Sequence, residues 1–154
     1  MRIALLLLLS ACFAFAAPLK KDTKVHWLSY TEGLKKAAKE SKLMFVSVYA
    51  DWCIPCQVME KNVYTDPSVA TLLNSRFIPV KLNAESQDSI VCDGQAKTAE
   101  RCYFDVWELS AVPSYVLVAP KGMSILTLTQ SLDVTDMRFL LEQFLRKESE
   151  WIAR

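Results

Sequence analysis

The chain has almost no excess of either charge. Over 154 residues, 18 Lys and Arg face 17 Asp and Glu, a formal net charge of +1. That balance gives no nucleic-acid surface, no groove for acidic substrates and no polybasic membrane patch. Glycine is scarce, at three residues, and no Pro/Gly/Ser-rich linker, repeat or low-complexity tract divides the chain. Histidine occurs once, as His26, and there is no second CxxC, so a four-ligand zinc site lacks half of its usual pattern. No apolar run reaches the roughly 20 residues a membrane span needs. What remains is enough chain for one domain with a real core.

The N-terminus reads as removable. Arg2 is a short positive segment, Ile3 to Phe15 is apolar apart from Ser10, and Ala14-Phe15-Ala16 fits small-x-small cleavage. Residues 1–16 are therefore expected to be a secretory signal peptide, with 17–154 a single domain. An alternative is a lipoprotein signal ending at residue 11, because Leu9-Ser10-Ala11-Cys12 resembles a lipobox with Cys12 as the lipid-bearing residue. The apolar stretch before Cys12 is short, and the run continues past it, which favours simple secretion. Loss of Arg2 leaves 17 basic residues against 17 acidic ones. Four cysteines then remain, Cys53, Cys56, Cys92 and Cys102, an even count that suits an oxidising compartment such as a periplasm.

The stretch that organises the chain is Ala50-Asp51-Trp52-Cys53-Ile54-Pro55-Cys56. The apolar run Leu43 to Tyr49 leads into it as a central strand, and Val58-Met59 and Val63-Tyr64 follow at helical spacing. Two cysteines thus sit where a buried strand becomes a helix. Free N–H groups and partial positive charge at a helix N-terminus favour a thiolate, lowering its pKa below about 8.5. The second sulfur lies one helical turn away, so the pair is a dithiol/disulfide candidate. Zinc ligation and a purely structural disulfide are the competing readings of the spacing.

Around the motif, Val25 to Leu28 reads as a short strand and Thr31 to Ser41 as a helix. Asp66-Pro67 starts a second helix after the motif, ending at Asn74-Ser75. Phe77 to Leu82 is a strand with Pro79 at its start or at a bulge. Residues 84–102 read as polar and irregular, and Phe104 to Leu109 as a short helix or turn. Ser114 to Val118 and Ser124 to Thr129 form a hairpin across Pro120-Lys121-Gly122. Val134 to Ile152 reads as one long amphipathic helix. The order is βαβα(α)βαββα, an α/β fold with a central mixed sheet flanked by helices and an inserted loop at about 84–102.

With the element order in place, Trp52-Cys53-Ile54-Pro55-Cys56, Val112-Pro113-Ser114 before the next strand, and Lys81-Leu82-Asn83 together resemble the thioredoxin superfamily. The resemblance covers about Val25 to Glu150. Tyr49 to Cys53 and Thr65 to Val69 resemble exported relatives, in particular the C-terminal periplasmic domain of the bacterial thiol:disulfide interchange reductase. It implies a thioredoxin fold, a cis Pro113 against the motif, and Val112 backbone groups that bind an extended substrate strand. It also implies electron transfer without flavin or metal, through a redox-active Cys53–Cys56 disulfide alone, and electrons supplied by a membrane donor. Two departures stand out. Many thioredoxins carry a buried Asp six residues before the first motif cysteine, where this chain has Ser47. The resemblance offers Glu60, one turn after Cys56, as a proton relay, although a solvent-facing carboxylate reads equally well. No carboxylate partner for Lys81 is evident from the sequence. The second departure is the longer 84–102 segment.

On this reading Cys53 attacks a substrate disulfide and Cys56 resolves the mixed disulfide. Trp52 is expected to cover the sulfurs and offer substrates a flat apolar contact, with plain packing as the alternative, and Pro55 occupies the helix's first turn. Cys92 and Cys102 are expected to close the inserted loop as a structural disulfide; the alternative is a second redox pair. His26 reads as a half-buried strand residue. Tyr103, Phe104 and Trp107 are core or line a groove. The expected function is an exported, periplasmic thiol–disulfide oxidoreductase acting on protein thiol and disulfide substrates, in the reducing direction, as a monomer. It would have no nucleic-acid partner, and would touch the membrane only if Cys12 is lipidated. The alternatives are an oxidase or isomerase, and a binding module whose CxxC is structural or regulatory.

Overall fold

The structure is a computed structural model and describes residues 24–152. The expected signal peptide at 1–16 and the possible lipid site Cys12 lie outside the described residues.

Helix α1, Tyr30–Glu40, starts at a capping box in which Ser29 and Glu32 satisfy each other's backbone donors, and Ser41 ends it in the left-handed region at φ 52°. Strand β1, Met44–Tyr49, follows. Helix α2, Ile54–Asn62, is capped by Cys53, and α3, Pro67–Arg76, by Asp66. Strand β2 spans Ile78–Asn83, and β3, Ser89–Cys92, pairs with β4, Gln95–Thr98. A single turn, α4, Ala99–Arg101, runs into a π-helical turn at Cys102–Val106. Strands β5, Ser114–Val118, and β6, Ser124–Thr129, precede α5, Val134–Arg146, and α6, Glu148–Ile152.

The main sheet has the order β2-β1-β5-β6, with β1 parallel to β2 and antiparallel to β5. It is a mixed four-stranded sheet between helical layers, and its two faces are buried in separate clusters. Met44, Val46 and Val48 face α1 and the 84–109 segment, whereas Phe45 faces α2, α3 and α5. The alternation along β1 therefore places Ser47 beneath α2.

Three elements differ from the sequence reading. Val25 to Leu28 is not a strand; it makes one bridge, Leu28 to Val80. Asn74 of α3 explains why, since it accepts from His26 N–H (2.9 Å) and donates to Lys24 C=O (3.0 Å), taking backbone groups a ladder would use. His26 itself is exposed, not half-buried. The 84–102 segment is ordered around the β3–β4 hairpin. Its two-residue turn is Asp93-Gly94, with φ of 45° and 76°, as a type I′ turn requires. That Asp-Gly pair was the available signal. Finally, the 134–152 helix breaks at Lys147, whose N–H turns back to Phe144 C=O (3.2 Å). The break folds Trp151 onto Phe144, with ring centroids 5.9 Å apart, and lets Arg76 reach Glu148 at 2.9 Å. Periodicity cannot register a turn that contains neither Gly nor Pro. Pro79 costs the sheet nothing: its C=O accepts from Leu28 N–H on the outer edge of β2, so its ring nitrogen faces away from β1.

Candidate functional site

Strand β1 ends at Tyr49, and a turn closed by Cys53 N–H to Ala50 C=O (3.1 Å) delivers Cys53 to the start of α2. Cys53 and Cys56 are joined as a disulfide, with Cα atoms 5.3 Å apart. Cys53 Sγ takes the N-cap role, accepting the Cys56 N–H at 3.2 Å. An anionic sulfur in that position receives a backbone donor and the positive end of the helix together. Pro55 lies in the first turn of α2, where its missing N–H costs no helical bond.

Trp52 is 66 % exposed beside the disulfide. Its indole Nε1–H donates to Glu85 Oε1 at 2.9 Å, tying the motif to the inserted segment. The Val112–Pro113 peptide is cis. Pro113 and Cys56 line one cavity of about 270 Å³, together with Ser47, Glu60, Tyr64 and Lys81.

That cavity settles the partner of Lys81. Its Nζ lies 2.6 Å from Glu60 Oε2, and its ammonium stands 4.9 Å from the Tyr49 ring centroid. The pairing is invisible to local pattern because the two residues are 21 positions apart on different elements, α2 and β2. A carboxylate from the helix thus lines the cavity of Cys56, to which β1 contributes Ser47, Val48 and Tyr49 but no acid. The Ser47 hydroxyl pairs with Tyr64 Oη at 2.9 Å, and both residues are buried. Burial pushes the Tyr64 phenol well above its ordinary value of 10.0, with the Ser47 hydrogen bond opposing and the Glu60 charge reinforcing it. Burial likewise raises Tyr115, whose hydroxyl donates to Met59 Sδ at 3.1 Å. Tyr64 was not singled out from the sequence, because its hydroxyl acquires a role only through the packing of α2 on β1.

Cys92 and Cys102 are bonded to each other and both are 0 % exposed. Cys102 lies inside a continuous helical segment, where α4, begun at Ala99, runs into the π-helical turn. Tyr103 and Trp107 are buried, whereas Phe104 is 53 % exposed. Asp93 at the hairpin turn accepts from Ser124 N–H and, at 2.6 Å, from Ser124 Oγ–H, fastening the hairpin to β6. Among the described residues no group of three or more His, Cys, Asp or Glu is arranged to hold a metal ion. No described helix is long and apolar enough to cross a membrane.

A mixed sheet between helices, with a CxxC-type pair at a strand-to-helix junction, defines the class of thioredoxin-fold proteins that includes thiol–disulfide oxidoreductases. The thioredoxin-like family profile matches residues 26–120, and the chain belongs to that family. It is 28 % identical over 90 residues to thiol:disulfide interchange protein DsbD 2 of Pseudomonas aeruginosa, covering 58 % of this chain but 14 % of that protein. Its fold is similar to a thioredoxin from Thermus thermophilus, at TM-score 0.64 and 23 % identity over 81 % of this chain and 90 % of the other. It is also similar to the C-terminal domain of Neisseria meningitidis DsbD in the reduced form, at TM-score 0.52 and 21 % identity over 73 % and 90 %.

Proposed function

We propose that this protein is an exported thiol–disulfide oxidoreductase that reduces disulfides in protein substrates through Cys53 and Cys56. The observation that carries the proposal is the Cys53 sulfur at the N-cap of α2, accepting the Cys56 N–H at 3.2 Å. The Cys53 thiolate attacks a substrate disulfide and forms a mixed disulfide. Cys56 then attacks Cys53, releasing reduced substrate and restoring the internal disulfide. Val112 next to cis Pro113 binds the substrate backbone as an added strand, and Trp52 supplies an apolar contact. Glu60 lines the cavity of Cys56 and takes up its proton, through water, when Cys56 becomes the attacking thiolate. The reaction uses no cofactor beyond the Cys53–Cys56 disulfide. A membrane donor of the kind implied by similarity to DsbD returns the electrons to a monomeric protein in the periplasm. Residues 1–16 direct export and 17–154 form the working domain, with lipid on Cys12 as the alternative that mass spectrometry of the mature N-terminus decides.

The test is insulin reduction with dithiothreitol, comparing wild type with Cys53→Ser, together with the redox potential of the pair. Wild-type activity is expected well above the variant; equal rates refute the enzyme. One observation favours a second reading: Cys53 is 1 % exposed, as a structural disulfide would be. In that case the protein is a binding module, and Cys56→Ser traps no dithiothreitol-sensitive adducts. A strongly oxidising potential would instead assign an oxidase or isomerase.

A further inference from the structure

We propose that Ser114 and Thr129 are positioning residues for protein substrates: their hydroxyls lock the Ala111–Val112 peptide so that Val112 N–H faces an incoming strand. The proposal rests on the reading of Val112 as the backbone that receives substrate, and it names the side chains that hold that backbone in place.

The segment leading into Pro113 has little backbone support. Trp107 N–H is held by Cys102 C=O and Leu109 N–H by Tyr103 C=O, and regular pairing resumes only at Ser114. Among the described residues, the one hydrogen bond that reaches residues 110–113 comes from a side chain, Ser114 Oγ–H to Ala111 C=O. Ser114 is fully buried, and its backbone lies between two strands, opposite Val48 of β1 and Thr129 of β6. A hydroxyl fixed in the sheet carries the rigidity of the sheet into the loop. The proton count then gives the bonds a direction. A serine hydroxyl has one hydrogen, and a carbonyl only accepts, so Ser114 donates to Ala111. The second contact, Ser114 Oγ to Thr129 Oγ1 at 2.8 Å, therefore runs from Thr129 to Ser114. Thr129 thus commits the Ser114 proton to the loop, and the two bonds strengthen each other.

The consequence lies at the other end of the same peptide unit. The Ala111–Val112 bond is trans, and in a planar trans peptide the C=O and N–H point in opposite directions. Holding Ala111 C=O against Ser114 therefore turns Val112 N–H away from it. Val112 is only partly buried, and its N–H finds no acceptor among the described residues. A donor that is unpaired and held in one direction is what an added strand requires. Without the clamp, residues 110–112 are ordered only when substrate arrives, and binding bears that cost. The sulfur chemistry of Cys53 and Cys56 does not depend on it, so the clamp acts on substrates with a backbone to add and on no others.

Ser114→Ala in the full chain is compared with wild type on two disulfides, with folding checked by circular dichroism. Insulin offers a backbone to add as a strand; 2-hydroxyethyl disulfide offers none. In insulin reduction with dithiothreitol, KM for insulin should rise about tenfold in Ser114→Ala with kcat little changed, the worth of one hydrogen bond. Reduced protein freed of dithiothreitol should react with 2-hydroxyethyl disulfide at the wild-type rate. An unchanged insulin KM, or equal slowing on both disulfides, overturns the proposal; a merely structural serine gives one of those two results. Should Ser114→Ala fail to fold, Thr129→Val carries the test from the exposed edge strand β6. It removes the donor to Ser114 at nearly constant shape, and the insulin KM should rise at least about twofold over that of Thr129→Ser, which keeps the hydroxyl. Equal KM values in those two variants overturn the proposal. Wild type against Cys53→Ser scores the redox reading separately. Equal rates there overturn both; an active wild type with an unmoved KM in Ser114→Ala overturns the clamp alone.

Discussion

Reduction of the folded protein should open one disulfide and spare the other. Cys92 and Cys102 are both 0 % exposed, packed beneath the hairpin with Ile90, Ala99, Tyr103 and Trp107. Cys56, by contrast, lines an open cavity. Exchange needs a thiolate in line with a sulfur, so Cys92–Cys102 reacts only when the hairpin lifts from the sheet. Native protein in dithiothreitol, alkylated and weighed, should gain two thiols from its disulfides; denatured protein should gain four. The energetic role follows from loop length. The bonded residues are 10 apart, and the chain-entropy relation then gives about 2.7 kcal/mol at 25 °C. Replacing both by Ala should therefore lower unfolding stability by about 3 kcal/mol. With a urea slope of roughly 1–3 kcal/mol/M, the midpoint drops by roughly 1–3 M. Two results refute the reasoning: four thiols released under native conditions, or an unchanged midpoint in the double variant. The first would return Cys92–Cys102 to the redox chemistry as a relay.

Gly33→Ala should destabilise by about 1–3 kcal/mol in urea titration. Its Cβ would sit 2.1 Å from Val80 Cγ2 and 3.0 Å from Met44 Sδ, outweighing the roughly 1 kcal/mol helix-propensity gain. Glu60→Gln keeps the side chain's shape and removes the carboxylate of the proposed proton path. Insulin-reduction kcat should fall roughly a hundredfold, with KM little changed and the circular dichroism spectrum intact; unchanged kcat removes Glu60 from the proton path. The third concerns alkaline pH. Burial raises Tyr30, Tyr64 and Tyr115 above their ordinary value of 10.0. Neutral phenols are favoured in the folded state, so this stability is complete below pH 10 and is lost as pH rises. Each phenol weakens folding by about 1.4 kcal/mol per pH unit above 10, and three together by about 4. Their absorbance change at 295 nm should coincide with loss of circular dichroism; smooth ionisation near pH 10 in folded protein contradicts it.

Much of the site was legible because its chemistry is local. Cys53 and Cys56 are three positions apart, and an apolar run followed by a helical pattern fixes them at a strand-to-helix junction. Val112-Pro113-Ser114 was legible through resemblance, as a tripeptide at the right place beside an apolar strand. The inserted segment was less so. Its Asp93-Gly94 turn lay between two four-residue strands, β3 and β4, too short to establish an alternation, and β4, Gln95-Ala96-Lys97-Thr98, is mostly polar. The break at Lys147 was hidden because the apolar stripe continues across it.

The sequence by itself determined the motif, the order of most elements and the face of β1 on which Ser47 falls, since these depend on neighbours within one helical turn or one strand. It also established that the expected buried acid was missing. The tertiary structure alone decided what stands in that place. Packing of α2 against β1 and β2 brings Glu60 to Lys81, and Tyr64 to Ser47, across separations of 21 and 17 residues. It likewise decided which sulfur borders the cavity and which is buried. Side-chain distance across a sheet depends on register and on helix placement, and no local pattern encodes either.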